Sequence, residues 1–228
     1  MTLHPSVVSK EETKIFVIGF NKTGTSSLHD LFKSLNINSL HYVNLYHNLN
    51  VIDDYQAFSD IKDVELYKQY YERYPNSLFI LNTRSIESWL ISRYKHAKYH
   101  NFDPNCWCWP ICYERTDMWV NIRQRHYNDV FEFFKDKEKQ LLIVNIEKKN
   151  WENTVIDFLY KNSLCNKQQR IENRNILHHI NVRKSSSIEQ IDDIEAHVKK
   201  YLQINNINGD ELLTKDIDIK LYNYKTYL

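Results

Sequence analysis

The sequence predicts a three-layer α/β fold, in which helices flank a central, mostly parallel sheet. Three apolar runs rich in β-branched and aromatic residues, at 14–18, 78–84 and 141–146, are typical of strands buried on both faces. Each run is followed by a segment with apolar residues at helical spacing. Strands that alternate with helices favour an open parallel sheet with right-handed crossovers, and the ligands of such sheets bind at the carboxyl ends of the strands.

Composition indicates one domain. The chain has 228 residues, 42% of them apolar, and no linker rich in Gly, Pro or Ser divides it, so we expect a single domain over residues 1–228. The 30 Lys and Arg residues balance 29 Asp and Glu residues, which gives no reason to expect a nucleic acid or a membrane surface as partner. Residues 1–13 do not resemble a signal peptide, and no stretch reaches the roughly 18 to 20 apolar residues of a membrane span.

The first predicted strand leads into the loop Gly19–Ser27 (GFNKTGTSS) and then into an amphipathic helix, whose apolar face carries Leu28, Leu31, Phe32 and Leu35. Such a loop presents backbone N–H groups and the positive end of the helix dipole, which together bind phosphate or sulfate. Two of the three glycines of the chain lie here, which indicates a backbone geometry that other residues adopt less easily. The alternative is an ordinary strand-to-helix turn capped by Thr or Ser.

The position of its lysine distinguishes this loop from a nucleoside-triphosphate loop. In the motif GxxxxGK[ST] the lysine follows the second glycine directly. Thr25 stands at that position, and the lysine lies inside the loop, as Lys22. A cation at the apex of the turn lies near the bond that is broken, so the loop suits a donor that carries less charge and requires no metal bridge.

The segment Asn21–Ser26 (NKTGTS) matches at each position the loop [PN]K[ST]GT[ST] of the sulfotransferases that use 3′-phosphoadenosine 5′-phosphosulfate (PAPS). The chain therefore resembles that family. The resemblance implies a P-loop NTPase-like sulfotransferase fold, PAPS as donor without a required metal, and Lys22 as the catalytic cation. It also implies donor binding by Asn21, Lys22, Thr23, Gly24, Thr25, Ser26 and Ser27.

Two further segments resemble the 3′-phosphate site of the family. The family pairs an arginine at a strand end with a serine eight residues later, and Arg84 and Ser92 have this spacing. An arginine fork makes bidentate, charge-assisted contacts with a phosphate, and a serine hydroxyl adds one more. Arg183 and Lys184 resemble a late Arg-Lys-Gly segment, although Ser185 replaces the glycine. The alternatives are a surface charge with a helix hydroxyl and a basic helix entrance.

Sulfuryl transfer to a hydroxyl requires a base, and two residues are candidates. The resemblance places Asp60 where cytosolic members carry a catalytic histidine, and His41 where carbohydrate-type members carry a glutamate. An aspartate, with a pKa near about 3.9, is a weak base unless burial raises that pKa, whereas histidine near about 6.5 suits the task better. Both assignments stay open, because Asp60 could cap a helix and His41 could be an ordinary half-buried histidine.

The remaining segments complete the α/β pattern. Residues 39–43 predict a short second strand with His41 at its end, and 44–60 an irregular stretch. The insert 99–118, rich in aromatics, cysteines and prolines, breaks the pattern, and the resemblance implies that it covers the active site and shapes the acceptor pocket. Helices are predicted at 63–74, after 84, at 117–135, from 151 and at 188–202.

The cysteines Cys106, Cys108 and Cys112 follow the pattern C-x-C-x3-C, which lacks the paired CxxC knuckles of zinc sites. With the distant Cys165, we expect free buried thiols and no metal site, with a disulfide or a zinc site as alternatives.

The sequence thus predicts a PAPS-dependent sulfotransferase that acts on a hydroxyl, with a carbohydrate or small alcohol favoured over a protein tyrosine. Family members of the secretory pathway usually carry an N-terminal span, so we also expect a soluble, cytoplasmic enzyme. One alternative is a P-loop small-molecule kinase, which Thr25 and the lack of an obvious magnesium-binding aspartate disfavour. Another is a non-catalytic nucleotide-binding relative that keeps the loop without the base.

Overall fold

A computed structural model describes residues 13–45, 50–99, 112–173 and 188–211. Its five strands form one parallel sheet in the order β2-β3-β1-β4-β5. The strands are β1 (Ile15–Val17), β2 (Ser39–Val43), β3 (Ala57–Ile61), β4 (Leu78–Thr83) and β5 (Leu141–Asn145). The α-helices are α1 (Thr25–Ser34), α2 (Val51–Asp54), α3 (Tyr67–Arg73), α4 (Ile86–Tyr99), α5 (Tyr113–Phe134), α6 (Trp151–Lys161), α7 (Lys167–Asn173) and α8 (Ile188–Ile204), and 3₁₀ turns span Val64–Leu66 and Glu138–Gln140. The predicted α/β class, with a parallel sheet flanked by helices, is confirmed.

The strand order puts a topological switch point at the carboxyl end of β1. The chain goes from β1 to β2 and β3 on one side of the sheet, and then to β4 and β5 on the other. In open α/β sheets, ligands bind at such a switch point, outside the carboxyl ends of the strands. The loop that follows β1 lies at this point, as do the residues that follow β4.

Helices cover both faces of the sheet, and alternating strand residues divide between two cores. On one face, Ile15 and Val17 pack with the apolar stripes of α1 and α6. On the other face, Phe16 stacks on Phe58 and Phe79 and packs against residues of α3 and α5. All three β1 residues are fully buried, which explains why this strand is continuously apolar. A third cluster joins α4, α5 and α8.

Three predictions are wrong in detail. The stretch 44–60, predicted to be irregular, contains α2 and most of β3. Polar residues at 59 and 60 hid this strand, although its other side chains are buried. The insert predicted at 99–118 overlaps α5, which begins at Tyr113. His41 is the central residue of β2 and does not lie at its end.

After α8, the chain returns to the first turn of α4. The amide of Ile86 donates to the carbonyl of Glu211 at 2.9 Å, and the amide of Glu87 donates to the carbonyl of Gly209 at 3.0 Å. A Cβ atom on Gly209 would lie 2.5 Å from Oε2 of Glu87, so a larger residue there would displace the end of the Glu87 side chain. Residues 205–211 thus cap two of the amides that α4 cannot satisfy by itself. None of the helices in the described ranges combines the length and the apolar character of a membrane span.

Candidate active site

The loop between β1 and α1 has a backbone with two left-handed residues. Gly24, the N-cap of α1, has a φ of 83°, and Lys22 has a φ of 69°. A Cβ atom on Gly24 would lie 2.9 Å from Cδ1 of Ile146, so glycine is required there for two reasons. Left-handed backbone is unfavourable for lysine, and such strain persists only where the surrounding contacts enforce it.

Asn82, a polar residue inside the buried strand β4, holds the loop at Gly19 and at Thr23. Its Oδ1 accepts a hydrogen bond from the amide of Gly19 at 3.0 Å, and its Nδ2 donates to the carbonyl and to the hydroxyl of Thr23, each at 2.7 Å. The Thr23 hydroxyl in turn donates to the carbonyl of Phe20. A Cβ atom on Gly19 would lie 2.1 Å from the carbonyl oxygen of Asn82, which explains the first glycine. A fully buried amide therefore fixes the conformation of the loop.

Helix α4 holds the loop from the other side through Asn21. The indole Nε1 of Trp89 donates to the Asn21 carbonyl at 3.2 Å, and Nη1 of Arg93 donates to its Oδ1 at 2.6 Å. The Arg93 guanidinium is buried and lies over the rings of Trp119, at 4.7 Å, and Trp89, at 5.2 Å. Asn21 precedes the strained Lys22 directly, so these contacts help to enforce the conformation of the lysine.

Arg84, directly after β4, meets the loop at Lys22. Its Nη1 donates to the carbonyl of Lys22 at 3.2 Å, so the two residues predicted to bind phosphate groups adjoin. On the other side, Nη2 of Arg84 lies 3.3 Å from Oε1 of Glu147. Ser92, its predicted partner, lies in the second turn of α4 and is partly buried. Arg183 and Lys184 lie outside the described residues.

The two candidate bases lie next to each other. Nε2 of His41, on β2, is 4.0 Å from Oδ2 of Asp60, on β3, and each side chain is about one quarter exposed. Nε2 of His41 also lies 3.2 Å from the hydroxyl of Ser26 in the loop, and its Nδ1 lies 3.0 Å from the hydroxyl of Ser59. Asp60 has a left-handed backbone, with a φ of 53°, which is uncommon outside glycine and often marks a functional site. The candidate bases and the loop therefore form one cluster.

A cleft of about 450 Å³ opens beside the loop and includes Asp60. Phe20 and Asn21 of the loop form part of its wall. Its lining combines aromatic rings, among them Trp89 and Trp119, with charged residues that include Asp60, Lys62 and Glu65. Its volume falls within the range of small-molecule sites, roughly 300–1,000 Å³.

A protein-family model, described as a sulfotransferase domain, matches residues 48–166, just over half of the chain. The chain belongs to the sulfotransferase family. No curated protein matches it. The matched region contains Asp60, Arg84 and Ser92, whereas the loop Gly19–Ser27 lies before it. The loop motif and the family match are therefore separate pieces of support for the same assignment.

Two residues that support the site of this sulfotransferase were not found by sequence reasoning, and both lie on α5. His126 donates from Nε2 to the carbonyl of Ile18 at 2.8 Å, and burial lowers its pKa to about 4, so it is neutral at pH 7. Nη2 of Arg123, also buried, donates to the carbonyl of Arg84 at 2.8 Å. These contacts hold the chain where it leaves β1 and β4.

Asn82, Arg93 and Glu147 were also missed. Asn82 gave a usable signal, because a polar residue inside an apolar strand needs buried partners. Arg93 and Glu147 gave none, since each contacts a residue more than 60 positions away in the sequence.

The cysteines that the structure describes, Cys112 and Cys165, are free thiols; Cys106 and Cys108 lie outside the described ranges. Within those ranges, no group of three or more His, Cys, Asp or Glu side chains could hold a metal ion.

Proposed function

We propose that this sulfotransferase uses PAPS as donor and transfers its sulfuryl group to a hydroxyl of a small alcohol or a carbohydrate. The observation that carries the proposal is the contact between Arg84 and Lys22. The two residues come from separate motifs of the sequence, and their contact puts both within reach of one bisphosphorylated nucleotide.

For the donor, we propose that the loop Asn21–Ser27 binds the 5′-phosphosulfate. Its backbone turns at two left-handed residues just before α1, an arrangement that favours anion binding by backbone N–H groups. Arg84 and Ser92 would bind the 3′-phosphate, and Arg183 and Lys184 would close over it. The donor leaves as a bisphosphate with charge on the former bridging oxygen, which the ammonium of Lys22 would stabilise without a metal ion.

For the acceptor, we propose that the hydroxyl binds in the cleft beside Phe20 and Asn21. Its oxygen attacks the sulfur in line with the bridging oxygen of the donor, one S–O bond forms as the other breaks, and the hydroxyl proton goes to a base. Asp60 is favoured as this base because it lines the cleft. His41, 4.0 Å from Asp60, is the alternative. The rings of Trp89 and Trp119 in the lining suit the flat apolar face of a sugar ring or the body of a small alcohol.

Ligand-induced thermal stabilisation tests the donor. In EDTA, we expect 3′-phosphoadenosine 5′-phosphate (PAP) to raise the melting temperature of the protein, and ATP with magnesium to raise it less. Stabilisation that depends on magnesium and ATP would instead support a phosphoryl-transferring enzyme.

Turnover is then measured with PAPS labelled in the sulfo group over a mixed library of sugars and alcohols. We expect labelled product with at least one acceptor. PAP binding without turnover on any acceptor, when repeated with an expanded library, would indicate a non-catalytic relative.

A further inference from the structure

Glu147 is the one acidic residue, among those that the structure describes, that contacts Arg84. It lies two residues after β5, next to the carboxyl end of β4. Its Oε1 accepts hydrogen bonds from both Nε and Nη2 of Arg84, each at 3.3 Å. The side chain of Glu147 is 31% exposed and that of Arg84 is 24% exposed, so water only partly screens the pair.

The Glu147 carboxylate is itself held in place. Its Oε2 accepts a hydrogen bond from the amide of Ser85 at 2.8 Å, and its own amide donates to Oδ1 of Asn145 at 2.9 Å. Burial alone would raise the pKa of Glu147. Hydrogen bonds from the Ser85 amide and from the hydroxyls of Ser88 and Ser85, together with the charge of Arg84, outweigh burial and lower that pKa below its usual value. Glu147 is therefore a fixed anion at neutral pH.

The contacts of Arg84 use two different sides of its guanidinium. Glu147 occupies the side formed by Nε and Nη2, and the carbonyl of Lys22 accepts from Nη1. A guanidinium is planar and has five N–H groups, two of them on each terminal nitrogen. These three contacts leave one further N–H group on Nη1 and one on Nη2, which a phosphate can accept from.

We propose that Glu147 is a positioning residue that orients Arg84, so that the terminal nitrogens of the guanidinium meet the 3′-phosphate of the donor. The inference rests on the proposed function, in which Arg84 binds that phosphate. An arginine side chain loses considerable rotamer freedom when it is fixed, and Glu147 imposes this loss on folding rather than on binding. The guanidinium separates the carboxylate from the phosphate, which limits their repulsion.

Glu147 could instead compete with the phosphate for Arg84, and that role predicts the opposite effect on donor binding. If Glu147 occupied the place of the phosphate, its removal would strengthen donor binding, because a competing anion would be lost. If it positions Arg84, its removal weakens binding of nucleotides that carry a 3′-phosphate and leaves other nucleotides unaffected.

The test compares PAP with adenosine 5′-phosphate, which has a hydroxyl in place of the 3′-phosphate, by isothermal titration calorimetry. We expect Glu147→Gln to weaken PAP binding at least about fivefold and to change adenosine 5′-phosphate binding by less than about twofold. Glu147→Asp should recover part of the loss. Glu138→Gln, which removes the same charge from an exposed position before β5, should change neither affinity.

Tighter PAP binding by Glu147→Gln would overturn the proposal, as would an equal loss for both nucleotides, which indicates only structural support. A thermal melt of each variant shows that it is folded before affinities are compared. The proposed function fails separately. If the wild-type protein does not prefer PAP, both proposals are wrong; if it does and only Arg84→Ala abolishes that preference, Glu147 alone was misassigned.

Discussion

The proposed donor loop and the proposed acceptor cleft meet at Asn21, but the chain builds them in different ways. Hydrogen bonds hold the loop from two sides, from Asn82 on β4 and from Trp89 and Arg93 on α4. The cleft is instead lined mainly by side chains, aromatic and charged, and it shares Trp89 and Arg93 with the support of the loop. We therefore expect donor binding to depend on an accurately placed backbone and acceptor binding to depend on the side chains of the cleft.

Lys22 tests the donor side most severely. We expect Lys22→Ala to lower kcat by at least about 100-fold, because an oriented charge next to the leaving oxygen contributes on this scale. The loss should be the same for every acceptor. Lys33→Ala, at an exposed position near the end of α1, is the matched control and should leave kcat unchanged. Turnover that survives Lys22→Ala would mean that the loop has been misread.

Substitutions of Asp60 and His41 test which of the two residues is the base. We expect Asp60→Asn to lower kcat by about 100-fold or more, because a positioned base contributes roughly 10²- to 10⁴-fold. His41→Gln should cost less, since His41 contacts Asp60 and Ser26 while Asp60 lines the cleft. Both variants are assayed across pH, and PAP affinity should stay near the wild-type value in each. Unchanged kcat in both variants would defeat both assignments, and a larger loss for His41→Gln would reverse them.

Asn82 tests whether the loop depends on its buried support. We expect Asn82→Ala to lower the free energy of unfolding by about 2–4 kcal/mol, because the Gly19 amide and the Thr23 groups lose buried partners. PAP affinity should fall as well, while acceptor KM stays nearly constant. Chemical denaturation and calorimetry measure the two effects. Gln203→Ala, at an exposed position on α8, is the control; if Asn82→Ala matches it in PAP affinity, the loop does not need this support.

His126 gives the smallest effect and concerns stability alone. Its pKa is about 4 in the folded protein, against 6.5 for an ordinary histidine, so the unfolded chain binds more protons between these values. The free energy of unfolding should therefore fall by about 2 kcal/mol from this residue as the pH drops from 7 to 5. His126→Gln keeps a donor for the Ile18 carbonyl but does not titrate. Its urea denaturation curves should show a weaker pH dependence than those of the wild type; an identical dependence would show that His126 does not contribute.

The strand, loop and helix of the proposed donor side could be predicted from the sequence because their motif is contiguous. One strand, one loop and one helix contain Asn21–Ser27, and the glycine positions indicate the backbone geometry. The strands β1, β4 and β5 could also be predicted, because burial on both faces makes them continuously apolar. Arg84 could be singled out because it follows a predicted strand and has the family's spacing to Ser92.

The acceptor side could not be predicted in the same way. Strand β3 was missed because polar residues at 59 and 60 interrupt its apolar pattern. In the structure, both of these polar side chains contact His41. On the proposed donor side, Arg93 and Glu147 could not be predicted either, because they act through contacts between elements far apart in sequence. The place of His41 beside Asp60 follows from the pairing of β2 with β3, in which His41 is the partner of Ser59.

The most direct test of the central claim is whether Lys22 and Arg84 hold one nucleotide. PAP affinity is measured by isothermal titration calorimetry in EDTA for the wild-type protein and for Lys22→Ala, Arg84→Ala and the double variant. We expect each single change to weaken binding by at least about tenfold, as the loss of a charge-assisted contact requires. If Arg84→Ala binds PAP as tightly as the wild type does, the two residues do not share a ligand and the proposed donor site is wrong.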